Sequence, residues 1–449
     1  MKSYDNICAM ATPPGGAIGI IRISGPDSIN IAGRLFSRNI TNAKSHTLHY
    51  GIFATSPSSP IDDVMVGVFR SPHSYTGEDS VEIYCHGSRY IMSLIIRTLI
   101  DAGCRQADPG EYTRRAFING KMDLSQAEAV ADLIAATGKA SHDMALGQLR
   151  GNISSELSRL RDQLLKMTSL MELELDFSDH EELEFADRSE LTLLAHTIND
   201  RITQLASSFR TGQAIKQGIP VAIIGKTNVG KSTLLNRLVG EDKAIVSDIH
   251  GTTRDIIEDT IDIQGVTFRF IDTAGLRYTD DVIEQIGIER SYSAIAKATI
   301  ILWVIDAIPT EEELADITTR CIGKQVIVVV NKSDIHPLPP LTLPFTTLAI
   351  SALQDKGMDE LTDAIYAKAA IPEIGENDAI ITSARHYSSL LQAQESINRV
   401  IDGLDMNIPN DLLSEDLRQC LDALADITGG IITPSEVLNN IFSHFCIGK

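Results

Sequence analysis

The hydrophobic pattern divides the chain into helical segments around a central block of apolar strands. Five runs rich in Val, Ile and Leu occur between residues 219 and 352. They are IPVAIIG (219–225), TFRFIDTAG (267–275), TIILWVIDA (299–307), QVIVVVNKSD (325–334) and TTLAISA (346–352). Strands of a parallel sheet are buried on both faces, so near-continuous apolar runs separated by helix-length spacers predict an α/β domain with a parallel sheet.

The segments on either side of this block have helical spacing. No proline occurs between Pro109 and Pro220. Within that stretch, apolar residues that predict a long helix recur at Leu157, Leu160, Leu164, Met167 and Met171. A second helical stretch begins after Pro372 with SARHYSSLLQAQESINRVIDGL and resumes after NIPND. The strand block is therefore predicted to be a domain inserted into a helical one.

The end of the chain predicts one more helix. In TPSE (433–436), Thr433 takes the N-cap position, Pro434 the first helical position, and Glu436 completes a capping box. We expect this helix to pack on the helical domain through one apolar face, formed by Val437, Leu438, Ile441 and Phe445.

Composition and charge narrow the class of protein. A chain of 449 residues with 43% hydrophobic and 22% charged residues predicts a soluble globular protein of two or three domains. It has no apolar run of membrane-spanning length and no signal peptide at its start, so we expect a cytoplasmic protein without membrane contact. The net charge of −21 opposes broad binding to nucleic-acid phosphates. A nucleic-acid substrate would therefore need a local basic patch or a basic partner.

Neither the cysteines nor the most acidic segment predicts a metal site. The acidic segment DFSDHEELEFAD (176–187) is interpreted as a solvated loop or a helix end. The cysteines have no CxxC pair and no neighbouring histidine ligands, which favours reduced thiols over a zinc site or a disulfide framework. They are Cys8, Cys85, Cys104, Cys321, Cys420 and Cys446.

The first strand of the block ends in a phosphate-binding motif. GKTNVGKST (225–233) fits GxxxxGK[ST] between a predicted strand and a predicted helix. Gly225 and Gly230 allow backbone N–H groups to turn toward phosphate oxygens. Lys231 can reach the outer phosphates, and the Ser232 hydroxyl can bind Mg²⁺.

Four further motifs follow in order, and together they predict GTP binding. They are GTTRD (251–255), DTAG (272–275), NKSD (331–334) and SAL (351–353). Asp272 can reach the metal shell, Gly275 can donate a backbone N–H to the γ-phosphate, and the Asp334 carboxylate can accept from N1 and N2 of guanine. The residues predicted to bind GTP are Asn228, Val229, Gly230, Lys231, Ser232, Thr233, Ser247, Asp248, Ile249, His250, Gly251, Thr252, Thr253, Asp272, Thr273, Ala274, Gly275, Asn331, Lys332, Ser333, Asp334, Ser351 and Ala352.

The hydrolytic machinery is incomplete within this one chain. Leu276 occupies the position after DxxG where Ras-like enzymes place a glutamine that orients water, and no arginine finger is evident. The charge that develops on the β and γ oxygens still needs a cation. Asn228 either offers a carbonyl oxygen to a monovalent cation or is an ordinary residue of the loop.

Motifs along the whole chain resemble one family. ATPPGGAIGIIRISG near the start, PGEYTRRAFINGKMDLSQAEAVADLI (109–134), GTTRD, DTAGLR and the terminal FCIGK are similar to the bacterial and organellar tRNA-modification GTPases of the MnmE (TrmE) family. The resemblance implies a multidomain fold, α/β plus all-α: an N-terminal folate-binding-like α/β domain, a helical domain and an inserted Ras-like P-loop GTPase domain. The implied segments are a folate-binding and dimerisation domain (1–120), the first helical part (121–215), the G domain (216–373), and the second helical part with the CIGK motif (374–449).

The resemblance also implies partners and a reaction. The family forms homodimers through the N-terminal domains. With a flavin-dependent partner of the MnmG (GidA) type, in a heterotetramer or larger assembly, it installs an aminomethyl or carboxymethylaminomethyl group on C5 of the wobble uridine (U34) of certain tRNAs. A tetrahydrofolate derivative, in the 5-formyl or 5,10-methylene form, supplies the one-carbon unit. The tRNA is expected to bind mainly through the partner.

Metal and catalytic roles follow from the same resemblance. K⁺ activates hydrolysis when two G domains meet, and Glu284 in DDVIEQIGIER corresponds to the carboxylate that orients water. From the sequence alone, Glu284 is typical of a solvated helix residue. The implied ligands are Asn228, Ser247, Ile249 and Thr252 for K⁺, with Ser232 and Thr253 for Mg²⁺.

The implied folate site combines acidic and basic residues, namely Arg22, Glu82, Lys121 and Lys449. A carboxylate suits the edge of a pterin, and Arg or Lys suits the carboxylates of the glutamate tail. Cys446 is either a thiol that reacts with or positions the one-carbon unit, or a small buried hydrophobic residue.

Two other functions share part of this pattern. A ribosome-assembly GTPase would also have a hydrophobic residue after DxxG and K⁺ activation, but such proteins usually have a basic RNA-binding module. A mechanical or scaffold GTPase would self-assemble without modification chemistry. The acidic charge and the helical, folate-like flanks favour the tRNA-modification function.

Overall fold

The computed structural model describes most of the chain as two compact units. The first unit contains residues 1–131, 148–202 and 388–449, and the second contains residues 132–147 and 203–387. The described residues are 5–176, 188–240, 259–271, 293–339, 341–372, 375, 378–430, 438, 441–443, 445 and 448. The division into four segments implied by the family resemblance stays a prediction.

The described residues form strands and helices in the following chain order. The strands are β1 (Ile7–Met10), β2 (Ile18–Ser24), β3 (Thr47–Ser56), β4 (Ser59–Phe69), β5 (Ser80–His86), β6 (Arg105–Gln106), β7 (Ile219–Ile224), β8 (Asp259–Ile263), β9 (Val266–Phe270), β10 (Ile300–Ile305), β11 (Gln325–Val330) and β12 (Thr346–Ala349). The helices are α1 (Ser28–Leu35), α2 (Arg89–Asp101), α3 (Glu111–Ile118), α4 (Leu124–Ala135), α5 (Lys139–Leu149), α6 (Asn152–Asp176), α7 (Arg188–Ser207), α8 (Phe209–Gln217), α9 (Lys231–Gly240), α10 (Glu311–Arg320), α11 (Met358–Ala369), α12 (Ala384–Asp405) and α13 (Asn410–Thr428).

The first unit contains a mixed sheet in the order β3-β4-β5-β2-β1-β6. Its neighbouring strands are antiparallel except for β1 and β6. Residues such as Ile21 and Ile83 point to one face and pack with Met92 of α2 in a buried core. The alternate residues of the same strands, including Arg22 and Glu82, therefore lie on the opposite face.

The predicted helices of the first unit are present. The apolar positions at helical spacing, Leu157, Leu160, Leu164, Met167 and Met171, are all buried on α6, and α6 packs against α13. The segment after Pro372 forms α12, and α13 begins within NIPND at Asn410. The acidic segment lies outside the described residues apart from Asp176, at which α6 ends.

Apolar residues near the end of the chain pack as predicted. Leu438, Ile441 and Phe445 contact a cluster that contains Leu124 and Ala127 of α4. The most buried member from this segment is Phe442, which was not among the residues predicted for the apolar face. Thr433, Pro434, Glu436 and Val437 lie outside the described residues.

The second unit contains a sheet in the order β12-β11-β10-β7-β9-β8. All neighbouring strands are parallel except the β8–β9 pair at one edge. Buried clusters cover both faces, as the continuous apolar runs predict. Strand β8 was missed because its residues alternate between buried and exposed, which is typical of an antiparallel edge strand and not of a buried parallel one.

None of the helices in the described part of the chain combines the length and apolar character needed to cross a bilayer. Within the same residues, no group of three or more His, Cys, Asp or Glu side chains could hold a metal ion. The cysteines that the structure describes are buried free thiols at Cys8, Cys85, Cys104, Cys321 and Cys420.

Candidate functional site

The loop between β7 and α9 has the geometry of a phosphate-binding loop. Gly225 has φ 147° and Gly230 has φ 96°, values that disfavour residues with a side chain. A Cβ atom on Gly225 would lie 2.2 Å from the Val304 carbonyl oxygen, and one on Gly230 would lie 2.3 Å from Asn331 Nδ2. Both positions therefore require glycine, because a side chain would clash with a neighbouring atom and because the backbone conformation disfavours other residues. The loop leads into the N-terminus of α9, whose free N–H groups and dipole favour anions.

Lys231 places a positive charge within this loop. Its Nζ donates to the carbonyl oxygen of Gly225 at 2.8 Å and to that of Lys226. Burial lowers the pKa of Lys231. Phosphate oxygens would offer the ammonium group charged acceptors, which form stronger hydrogen bonds than these carbonyls.

The side chain of Asn331 joins three separate segments of the chain. It is 3% exposed. Its Nδ2 donates to the Val229 carbonyl oxygen at 2.9 Å, and its Oδ1 accepts from the backbone N–H of Ala352 at 3.1 Å. One amide group thus connects residues of the GKTNVGKST, NKSD and SAL motifs.

Lys332 and Ser333 fix the remainder of the NKSD segment. Lys332 Nζ donates to the Asn228 carbonyl oxygen at 2.6 Å and lies 2.8 Å from Asp306 Oδ2. The Ser333 N–H donates to the Ile350 carbonyl oxygen at 3.0 Å. Asp306 was missed from the sequence, although a carboxylate directly after the apolar run TIILWVI was a usable signal.

Three predicted ligand-binding side chains are accessible to solvent. They are Asp334, Ser232 and Thr233. The Asp334 side chain is half-buried and forms no hydrogen bond or ion pair with any residue that the structure describes. Ser232 and Thr233 are exposed in the first turn of α9. Ser351 is buried at the start of the SAL motif, where its Oγ accepts from the N–H of Gln354 at 3.3 Å.

The other predicted residues of the nucleotide site lie outside the described residues. Their roles in GTP, Mg²⁺, K⁺ and water binding stay predictions. They are Ser247, Asp248, Ile249, His250, Gly251, Thr252, Thr253, Asp272, Thr273, Ala274, Gly275 and Glu284, together with Leu276.

A second candidate site lies on the outer face of the sheet in the first unit. Arg22 and Glu82 are direct partners in the β2–β5 register. The Arg22 guanidinium donates through Nε at 3.0 Å and Nη2 at 2.8 Å to Glu82 Oε1. The Tyr84 hydroxyl donates to Glu82 Oε2 at 2.7 Å. Burial, together with this bond, raises the pKa of Tyr84 to about 12.

Two aromatic rings and the chain end surround Arg22. Its guanidinium carbon lies 5.5 Å from the Tyr75 ring centroid and 5.6 Å from that of Tyr112. Arg22 Nη1 donates to the Gly448 carbonyl oxygen at 3.4 Å. Gly448 has φ 100°, and a Cβ there would lie 2.3 Å from the Met10 carbonyl oxygen. The tail therefore lies against β1 beside Arg22.

The remaining predicted folate residues have different placements. Exposed Lys121 donates to the Pro72 carbonyl oxygen at 2.9 Å, on the same loop as Tyr75. Lys449 and Cys446 lie outside the described residues. The sequence did not indicate Tyr75, Tyr84 or Tyr112, because a lone tyrosine gives no signal before its neighbours are known.

Comparison with known proteins identifies the family. A family model described as the GTP-binding protein TrmE N-terminus matches residues 6–121, and one described as the MnmE helical domain matches residues 124–446. The tRNA modification GTPase MnmE of Phocaeicola vulgatus is 52% identical over 100% of both chains. The chain belongs to the MnmE family.

Other members of the MnmE family agree over the same length. The protein of Parabacteroides distasonis is 53% identical over 99% of both chains, and that of Flavobacterium johnsoniae is 45% identical over 100% of both chains. Among solved structures, the G domain of the T. maritima FeoB iron transporter covers 34% of the chain at 24% identity, with a TM-score of 0.25. That TM-score is too low to support a conclusion. The two family models and the full-length relatives confirm the resemblance and the predicted fold class.

Proposed function

We propose that this GTP hydrolase of the MnmE family acts with a flavin-dependent partner of the MnmG type. The pair forms the 5-(carboxymethyl)aminomethyl group on the wobble uridine of certain tRNAs. The observation that supports this most directly is the identity of 52% over the full length to a tRNA modification GTPase. The cytoplasmic location stays a prediction.

Guanine nucleotide binding is supported by the assembled loop. Lys231 supplies a cation, and Asn331 holds the loop to the NKSD and SAL segments. The Asp334 carboxylate has no partner in the described part of the chain and is available to a base. We expect Asp334→Asn to relax guanine selectivity. Competition between guanine and xanthine nucleotides measures this, and unchanged selectivity would contradict the assignment.

The metal roles fit the residues that the structure describes. Ser232 exposes its hydroxyl at the start of α9, where a Mg²⁺ ion would lie beside the outer phosphates. Asn228 has φ 62° and an exposed side chain, while Lys332 holds its carbonyl oxygen. Among the described residues the Asn228 side chain has no hydrogen-bond partner, so it can bind K⁺ next to the phosphates, where a cation would offset the charge that develops during hydrolysis.

A folate derivative fits the chemistry around Arg22. Such a cofactor supplies the one-carbon unit when it is bound. The Glu82 carboxylate offers acceptors to a pterin edge, Arg22 offers a cation to a carboxylate, and the exposed ring of Tyr75 gives a flat apolar wall. The ring of Tyr112 is buried and supports Arg22 from within the domain. Cys446 is two residues from Gly448, which contacts Arg22. We propose that its thiol reacts with or positions the one-carbon unit.

A homodimer is supported by exposed apolar residues on the edge of the first unit. Leu48 and Tyr50 on β3 are each 57% exposed, and Met65, the direct partner of Tyr50 on β4, is 43% exposed. Ile52 continues the row at 42%. A second copy of the chain would cover this face, which also contains Arg22 and Glu82.

A strain that lacks the gene tests the proposed function. The nucleosides of its tRNA, measured by mass spectrometry, should lack the wobble-uridine modification, and the wild-type gene should restore it. Normal modification together with defective ribosomal subunits would instead favour a ribosome-assembly GTPase. Normal modification with normal ribosomes would favour a scaffold function.

Two variants test GTP hydrolysis and tRNA modification separately. Glu284→Ala should lower kcat for GTP hydrolysis with little effect on GTP affinity, because a residue that orients water acts in the transition state. Cys446→Ser should fold and hydrolyse GTP normally but leave tRNA undermodified. Loss of GTP binding in the first variant, or wild-type modification by the second, would contradict these roles.

A further inference from the structure

Carboxylates are missing from two long stretches of this acidic chain. The chain has 60 Asp and Glu residues against 39 Lys and Arg residues. Residues 201–240, which include the phosphate loop, contain neither Asp nor Glu, and the same is true of residues 28–61. In the first stretch, the absence of negative charge suits phosphate binding. The second stretch contains none of the residues predicted to bind GTP, so its positive character has no explanation in GTP binding.

Three exposed cations of the second stretch lack carboxylate partners. Arg34, Arg38 and Lys44 are exposed around the end of α1 and the start of β3, and none forms an ion pair with a residue that the structure describes. We call these three residues the acid-free patch. Some other exposed cations of the first unit do have partners, among them Arg159 with Glu156, Lys166 with Glu190, and Arg418 with Glu415. Within the described part of the chain, no direct partner therefore cancels the positive charge of the acid-free patch.

The acid-free patch borders an open cavity of about 700 Å³. Arg34 and Arg38 line it, and so do hydrogen-bonding side chains from Asn30, Ser37, Asn39 and Thr41. Asp27 contributes a carboxylate to the lining. Arginine with short polar side chains is the set that contacts phosphate and sugar oxygens in nucleic-acid complexes.

The side chain of Arg70 holds the loop between α1 and β3, which carries part of the acid-free patch, through hydrogen bonds to its backbone. Its Nε donates to the Ala43 carbonyl oxygen at 2.9 Å, and its Nη2 donates to the Thr41 carbonyl oxygen. The Thr41 N–H donates to Asn39 Oδ1 at 2.9 Å. Arg70 thus adds a fourth positive charge and holds the segment between Arg38 and Lys44 in one conformation, which reduces the entropy lost on binding.

We propose that the acid-free patch binds the phosphate backbone of tRNA directly. This rests on the proposed function, in which tRNA is the substrate, and adds a contact made by this chain itself. A polyanion near a chain of net charge −21 is repelled over most of the surface and held where carboxylates are absent. The patch would therefore orient the tRNA without reading its bases.

Binding of an unmodified tRNA transcript to the full-length protein at several salt concentrations tests the proposal. The triple variant Arg34→Ala, Arg38→Ala, Lys44→Ala should bind at least about tenfold more weakly, and the slope of log K against log salt should fall by about 2 to 3. The control triple variant Arg159→Ala, Lys166→Ala, Arg418→Ala changes the net charge equally and should bind within about threefold of wild type. The double variant Arg34→Lys, Arg38→Lys should retain most of the affinity for tRNA, because binding to phosphates requires the positive charge of these side chains and not the shape of the guanidinium group.

The proposal is overturned if the patch variant binds as the wild type does, or if both triple variants lose affinity equally. Equal losses would mean that only total charge matters. Thermal unfolding midpoints equal to wild type exclude misfolding as the cause. Complementation of the deletion strain separates the two hypotheses: failure of the wild-type gene to restore modification would refute the proposed function, whereas full restoration by the patch variant would refute the patch alone.

Discussion

The Asn331 side-chain amide donates a hydrogen bond to the Val229 backbone carbonyl at 2.9 Å, deep in the second unit. The other end of the same amide accepts from the Ala352 N–H at 3.1 Å. A residue of the NKSD motif therefore sets the shape of the phosphate loop. Asn331 and Val229 are 102 positions apart in the sequence.

Asn331→Ala should destabilise the second unit by roughly 2 kcal/mol or more, because a buried carbonyl and a buried N–H lose their partners. GDP affinity should fall in parallel, since the loop is no longer held. Denaturant unfolding and nucleotide titration measure the two effects. The matched control is Asn236→Ala, at an exposed position of α9, expected within about 0.5 kcal/mol of wild type. Equal effects of the two variants would show that the bridge contributes little.

Gly230→Ala should abolish tight nucleotide binding. The new Cβ would lie 2.3 Å from Asn331 Nδ2 on a backbone with φ 96°. Both the loop and the bridge to Asn331 would have to move. Gly240→Ala, at the exposed end of α9 with no atom within 4 Å of the new Cβ, should leave the GDP dissociation constant unchanged. Retention of wild-type affinity by Gly230→Ala would refute the role assigned to this loop.

K⁺ activation is tested best with Asn228→Gly. Hydrolysis by the wild type should rise with KCl and with protein concentration, and NaCl should not substitute. Because Asn228 has φ 62°, alanine there would add a backbone penalty of about 1 kcal/mol, whereas glycine removes the side chain without it. Asn228→Gly should abolish the K⁺ response with nearly unchanged GTP affinity. A K⁺ response that survives in this variant would exclude the side chain as a ligand.

Glu82→Gln should weaken folate binding by about tenfold. The substitution keeps the shape of the side chain but removes the charge that orders Arg22 and that would face the pterin. Calorimetric titration with 5-formyltetrahydrofolate measures the affinity. Glu395→Gln, an exposed residue of the first unit paired with Arg399, is the matched control. Folate affinity that is equal in both variants and in the wild type would place the site elsewhere.

Much of the fold follows from local patterns in the sequence. Buried parallel strands such as β10 and β11 are continuous apolar runs, and α6 buries residues at helical spacing. Strand β8 was not found, since its residues alternate between buried and exposed positions. The motif residues Lys231 and Asn331 were identified from spacing, because the same phosphate chemistry demands the same residues.

Contacts between distant segments could not be read from the sequence. The Asp306–Lys332 ion pair and the tyrosines around Arg22 depend on tertiary packing. Even the Arg22–Glu82 pair was proposed only through family resemblance, since each residue alone is typical of surface charge. Long-range partners are set by sheet register, which no local window reports.

The antiparallel register of β2 and β5 restricts how this part of the chain can vary in length. Because side chains alternate along a strand, the gain or loss of one residue within Ile18–Ser24 would turn Arg22 into the core and Ile21 or Ile23 out to solvent. A two-residue change would keep the faces but move Arg22 along the strand by about 7 Å, away from Glu82. Natural insertions and deletions in this domain should therefore fall in the turns. There the length can vary without moving Arg22 into the core or Ile21 and Ile23 out to solvent.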